Sequence, residues 1–151
     1  MGAHTAVATL QLVLNRRAEA KARYQRVLGI DPNAAVAANN LAWMQAEDGD
    51  NLDVALQHAQ TAVARLPESA EVSDTLGFVY HAKGLYSQAI SAFQTSIKLD
   101  PRNPIYHYHL GLSYARSGDA AQAKRSLSSA LGLSPSFVVA GDARATLASL
   151  P

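Results

Sequence analysis

The sequence predicts an all-α fold, an α-solenoid of about four helix-turn-helix repeats closed by a C-terminal capping helix. Three observations predict it. Four prolines, Pro32, Pro67, Pro101 and Pro135, close the similar phrases "VLGIDP", "AVARLP", "SIKLDP" and "ALGLSP", at spacings of 35, 34 and 34 residues. Such a period is too long for one ordinary helix and suits two helices with two turns. Between the prolines, apolar residues recur at three- and four-residue steps, as in Leu76, Val79 and Tyr80 and then Ile90, Phe93 and Ile97. No alternating strand pattern with hairpin turns occurs.

The helices are expected at 3–14, 17–30, 35–47, 52–65, 69–82, 86–98, 103–116, 120–132 and 136–149. In the second repeat the break falls at "EDGDNLDVA", one residue longer than its counterparts, which accounts for the single 35-residue spacing. The third breaks at "KGLY", with Gly84 at a helix C-terminus. Asn103 before Pro104 marks the start of the next helix. The fourth repeat breaks at "SGDAAQ", where Asp119 and Gln122 have the spacing of a capping box. The last segment, "FVVAGDARATLASL", sets Phe137, Val138 and Leu147 against Asp142 and Arg144, as a solvent-facing cap requires. The repeats then span about 1–34, 35–69, 70–103 and 104–135, a single domain over 1–151 that reads as part of a longer protein. The opening "MGAH" reads as a cloning remnant.

Composition narrows the function. Of 151 residues, 48% are apolar, enough for a buried core. Charged residues are 17% with net charge +1, which gives no reason to expect nucleic acid or an anionic membrane as partner. There is no cysteine, hence no disulfide framework and no thiolate metal site. No apolar run approaches the ~18 residues of a membrane span. The N-terminal segment lacks a basic stretch ahead of its apolar one, so it does not read as a signal peptide, and Ala6 stands where a myristoylation motif wants Ser or Thr. A soluble chain with no direct membrane insertion is expected, in a compartment the sequence does not name.

Aligning the units on their prolines stacks Val7-Ala8, Leu41-Ala42, Leu76-Gly77 and Leu110-Gly111 in the first helices, followed three residues on by Gln11, Gln45, Tyr80 and Tyr114. The second helices stack Ala20, Ala55, Ala89 and Ala123, then Tyr24, Ala59, Phe93 and Leu127, then Val27, Ala62, Ser96 and Ala130. This pattern resembles the tetratricopeptide repeat family, best in the third and fourth units, over about residues 3–135. The first unit departs from it at Ala8 and Gln11, the second at Ala59. The resemblance implies a right-handed superhelix. On physical grounds, the small residues Gly77, Gly111, Ala89 and Ala123 are expected to let helices approach, with Phe93 and Tyr80 filling the space between repeats.

Catalytic and metal chemistry lack a motif. His107 and His109 differ by about 200° around a helix and have no carboxylate three or four residues away, so both read as packing or surface residues, as do His4, His58 and His81. Neither a phosphate loop nor a nucleophile elbow is present. Glu47, Asp48, Asp50 and Asp53 surround a turn and a helix start, where capping explains them. Arg16, Arg17, Lys21, Arg23 and Arg26 read as a solvated helix face.

By the resemblance, the first helix of each repeat lines a concave groove. The implied groove positions are Val36, Asn39, Trp43, Ala46 and Glu47, then Glu71, Asp74, Phe78, His81 and Ala82, then Ile105, Tyr108, Leu112, Ala115 and Arg116. Thr9, Trp43, Phe78 and Leu112 share one register, an expected exposed apolar stripe, with a core location as the competing reading. Thr5, Thr9, Asn40, Glu71 and Thr75 do not match a carboxylate clamp for chaperone peptides, which needs cations. The expected role is non-enzymatic and cofactor-free: a scaffold that binds a peptide or partner protein against Trp43, Phe78, Tyr108 and Leu112, with Asn39, Asp74 and Arg116 orienting it. The phrases "NNLAW" and "SDTLGFVY" are similar to those of bacterial repeat proteins, including accessory proteins of envelope and exopolysaccharide systems. The alternative is a homo-oligomer assembled through the N-terminal repeat.

Overall fold

The computed structural model describes residues 16–151, which hold eight helices and no strand. They are α1 (Arg17–Ile30), α2 (Ala35–Asp48), α3 (Leu52–Arg65), α4 (Ala70–Ala82), α5 (Tyr86–Leu99), α6 (Pro104–Ser117), α7 (Ala120–Leu133) and α8 (Ala140–Ser149). The expected helix at 3–14, with Thr5, Thr9 and the N-terminal surface invoked for self-assembly, lies outside the described residues.

Two local signals set most of the boundaries. The second helix of each repeat stops at Asp31, Leu66, Asp100 and Ser134, each in extended or near-extended backbone and each followed at once by proline. Proline crowds the preceding residue out of the helical region, so the stop is written in the chain. First helices end differently. Leu85 N donates to Tyr80 O (2.9 Å) and Gly84 N to His81 O (2.9 Å), the paired bonds of a Schellman turn. That turn needs positive φ, which Gly84 adopts at 75°, as do Gly49 (64°) and Gly118 (89°) in the equivalent turns. The extra residue of the second repeat is absorbed by Asn51, the one non-glycine with positive φ (50°) among the described residues. Starts are capped where expected: Asn103 Oδ1 accepts from Ile105 N (3.0 Å) and Asp119 Oδ1 from Gln122 N (3.0 Å). Ser69 Oγ adds a long bond from Val72 N (3.4 Å).

The chain divides into two compact units at Pro67 and Glu68. In the first, α2 packs on both α1 and α3. Tyr24 and Val27 of α1 bury against Leu41 and Met44 of α2, and Tyr24 OH accepts from Asn40 Nδ2 (2.9 Å). The basic run is not simply solvated. Arg17 Nη1 and Nη2 donate to Glu47 (2.7 Å) and Asp48 (3.0 Å), and Lys21 donates to Asp50 (2.9 Å). Three of the carboxylates expected to serve as caps, Glu47, Asp48 and Asp50, therefore hold α1 onto the end of α2, because the stacked helices bring them within reach of cations about 30 residues away.

In the second unit each helix packs on the next, and α4 also packs on α6. Gly77 explains itself here. A Cβ at this position would sit 2.6 Å from two ring carbons of Phe93, a fully buried side chain on α5. One repeat later, a Cβ on Gly111 would lie 2.7 Å from Leu127 Cγ. Both glycines exist because the facing side chain fills the space of their missing methyl. Gly29 and Gly132 are opposite cases, with nothing within 4 Å of an added Cβ. Gly29→Ala and Gly132→Ala should each raise stability, by about 0.5 kcal/mol given their places in last turns, measurable as a higher urea midpoint at unchanged m-value.

The final helix departs from expectation. It begins at Ala140 rather than 136, because Ser134–Val139 turns to tuck Phe137 and Val139 against Tyr108, Leu127 and Ala130. Val138 faces outward, 88% exposed, and does not join the apolar face assigned to it. Ala143 is fully buried, with Leu147 packed beside it, and Arg144 donates to the Pro135 carbonyl.

Candidate functional site

Asp74, Phe78 and His81 lie at i, i+4 and i+7 of α4 and so share one face. Ile105, His109, Leu112 and Arg116 do the same on α6. Where these faces meet, the polar side chains bond to one another. His109 Nδ1 lies 2.9 and 3.0 Å from the two carboxylate oxygens of Asp74, with both side chains buried. Three rings surround that imidazole: Phe78 at 5.5 Å, Phe93 at 5.5 Å and Tyr108 at 5.7 Å between centroids. Toward the other end, His81 Nδ1 meets Ser113 Oγ at 2.8 Å, and the Tyr86 ring of α5 lies 5.4 Å from the His81 ring between centroids, inclined at 62°.

Burial sets the electrostatics. It pushes the His81 imidazolium down from the ordinary histidine range, with Arg116 and His109 adding repulsion. Burial, reinforced by the carboxylates of Asp74, Asp100 and Glu71, pushes the Tyr106 hydroxyl up to about 12, so it keeps its proton. In the first unit His58 is pushed down by burial and lies 3.1 Å from Gln45 Oε1.

The sequence-derived groove residues thus divide. Asn39 (4% exposed), Asp74 (5%) and Tyr108 (9%) are buried, so they do not present themselves to a ligand as expected. Asp74 directs both oxygens at His109, and Tyr108 packs edge-on to Phe137 at 6.0 Å. Glu47 is exposed but engaged by Arg17. Trp43, Phe78 and Leu112 are half-buried rather than a fully exposed stripe. Phe78 packs on the cluster of Ala89, Phe93 and Leu110, and Leu112 on that of Tyr108 and Leu127, because neighbouring helices close over their inner edges. His81 is half-buried and Arg116 is exposed.

Sequence reasoning missed His109, Ser113 and Tyr106 as parts of this face. The partner of His109 does not stand on its own helix; the Asp74 carboxylate lies 35 residues away, one repeat period plus one. His81 and Ser113 are a hydrogen-bonded pair, but Ser113 is fully buried and presents no nucleophile at the surface. Among the described residues no three His, Asp or Glu side chains group to hold a metal, and no helix is long and apolar enough to cross a membrane. What the face offers is contact area: the half-buried Phe78 and Leu112, with His81, Glu71 and Arg116 around them.

Helix pairs that recur at 34–35 residues and stack within each unit define a helical-repeat protein. Residues 77–118 match the TPR repeat and residues 105–137 the tetratricopeptide repeat. Residues 77–137 are thus tetratricopeptide repeats, and the fold is that of a TPR protein. It is similar to the crystal structure of a thermophilic TPR protein of Thermus thermophilus, at 27% identity and a TM-score of 0.79, covering 97% of this chain and 79% of that one. It is 32% identical over 92 residues to a TPR repeat-containing thioredoxin of Arabidopsis thaliana, covering 61% of this chain and 13% of that protein. It is 31% identical over 85 residues to a peroxisomal targeting signal receptor of Kluyveromyces lactis, covering 56% of this chain and 15% of that protein. The chain thus spans about one seventh of the length of these two relatives. Repeats of this family mediate protein–protein interaction.

Proposed function

We propose that the chain is a non-enzymatic scaffold that docks a peptide or partner protein on the first-helix face of its repeats, with Phe78 and Leu112 as apolar anchors and His81 and Arg116 orienting the ligand. The observation that carries this reading is the state of that face. Asp74–His109 and His81–Ser113 bond across it, while Phe78 and Leu112 remain half-exposed beside an exposed guanidinium. Half-exposed aromatic and aliphatic groups beside an arginine are the composition of interface anchors. Trp43 on α2 is the matching anchor proposed for the first unit. The peroxisomal relative supports the reading, being by name a receptor for a targeting signal. A bacterial envelope or exopolysaccharide setting belongs to the same proposal and rests on the "NNLAW" and "SDTLGFVY" phrases.

Peptides selected from a random display library on the wild-type chain provide the test. Phe78→Ala and Arg116→Glu should each weaken the selected peptides by about tenfold or more while circular dichroism remains helical. Arg116 is exposed, so its variant keeps the fold, and unchanged affinity in both variants would place docking elsewhere.

A further inference from the structure

The seam between α4 and α6 is joined by two side-chain bonds that both end on histidine, His109 to Asp74 and His81 to Ser113. The two ends differ. His109 sits buried against a carboxylate. His81 sits half-buried against a neutral hydroxyl, and no carboxylate is among the groups that act on it. Its charged neighbours are cationic or can become so: Arg116 and His109, both from α6. From α5 it meets the Tyr86 ring, inclined at 62° to its own with 5.4 Å between centroids. A neutral imidazole suits this position, because it can either accept from the Ser113 hydroxyl or donate to its oxygen. A doubly protonated ring keeps only the donor role and places a second cation beside Arg116.

We propose that the C-terminal half of the α4–α6 seam is an acid-sensitive joint, in which a proton taken up by His81 loosens the two helices from each other. The direction follows from linkage. The fold holds the His81 imidazolium below its ordinary range, so the opened seam binds the proton more readily than the closed one. Closure is therefore at full strength above the ordinary histidine value of about 6.5 and weakens as pH falls below it. One proton limits the effect to at most about tenfold in the opening equilibrium per pH unit. The joint lies beside Phe78 and Leu112, so opening it would reshape the proposed docking face, yet the joint itself stands whether or not that face binds anything.

Native-state hydrogen exchange of the whole chain, corrected for the intrinsic pH dependence of exchange, tests this. Opening at amides 79–82 and 112–116 should increase several-fold from pH 7.5 to 5.5. In His81→Gln, which keeps a polar side chain and cannot titrate, that pH response should vanish. In Arg116→Gln, an exposed substitution that keeps the fold, the response should shrink as the opposing cation is removed. A response in His81→Gln equal to that of wild type would overturn the proposal. If His81→Gln does not fold, an undiminished response in Arg116→Gln overturns it instead.

Discussion

Phe93→Ala should destabilise the protein by about 3–5 kcal/mol and, in the same chain, reverse the sign of Gly77→Ala. Phe93 is fully buried on α5 and packs with Ala89 and Leu110, so its removal forfeits a large apolar contact and opens a cavity. Its ring occupies the volume that a methyl on Gly77 would need, at 2.6 Å. In the wild-type background Gly77→Ala gains about 1 kcal/mol of helix propensity but meets a ring that cannot swing away from its packed neighbours. The overpacking term should win, leaving a net loss of about 1 kcal/mol. With the ring removed, the propensity gain remains without the clash, and Gly77→Ala becomes stabilising. The chain already holds the small–small version, since Ala42 and Ala59 occupy the equivalent positions of the second repeat and both are fully buried. A double-mutant cycle by urea unfolding measures this coupling. If Gly77→Ala stays harmful in the Phe93→Ala background, Phe93 is not what requires the glycine.

His109→Leu should cost a similar amount, about 3–5 kcal/mol, for a different reason. The substitution keeps a buried apolar group among Phe78, Phe93 and Tyr108 but removes the donor facing the Asp74 carboxylate, which is only 5% exposed. A buried carboxylate without its donor is far costlier than a lost contact. Leucine at both positions should recover most of the loss, because two apolar groups need no partners. Thermal unfolding of wild type, His109→Leu and the double variant decides it. Equal stability of the single and double variants would show that the loss came from packing around the imidazole and not from the stranded carboxylate.

Much of the fold was legible because its signals act locally. A proline forces the residue before it out of the helix whatever surrounds it, and a glycine in a Schellman turn supplies positive φ on its own. Hence helices α1 and α3 fall at the residues expected, and α2 and α4 to α7 within one residue. The start of α8 was misplaced because no breaker stands between Pro135 and Ala140; the contact of Phe137 with Tyr108 and Leu127 sets that turn. The candidate site was legible as a face and not as chemistry. Repeat register placed Asp74, Phe78 and His81 together on α4, yet register cannot say whether a side chain on a first helix meets solvent or its neighbour one repeat away.

By itself, then, the sequence determined the helix-pair period and the small residues at Gly77 and Gly111 through residue types that recur from repeat to repeat, and nearly all the helix ends through the covalent and steric preferences of a few adjacent residues. Only the tertiary structure decided that Asp74 and His109 hold each other across 35 residues, that Phe93 and Leu127 are what those glycines make room for, and that Asn39 and Tyr108 face inward. Those outcomes depend on which surfaces stacking brings within a few ångströms. Stacking is driven by apolar burial, which is non-directional and leaves no short motif in the chain.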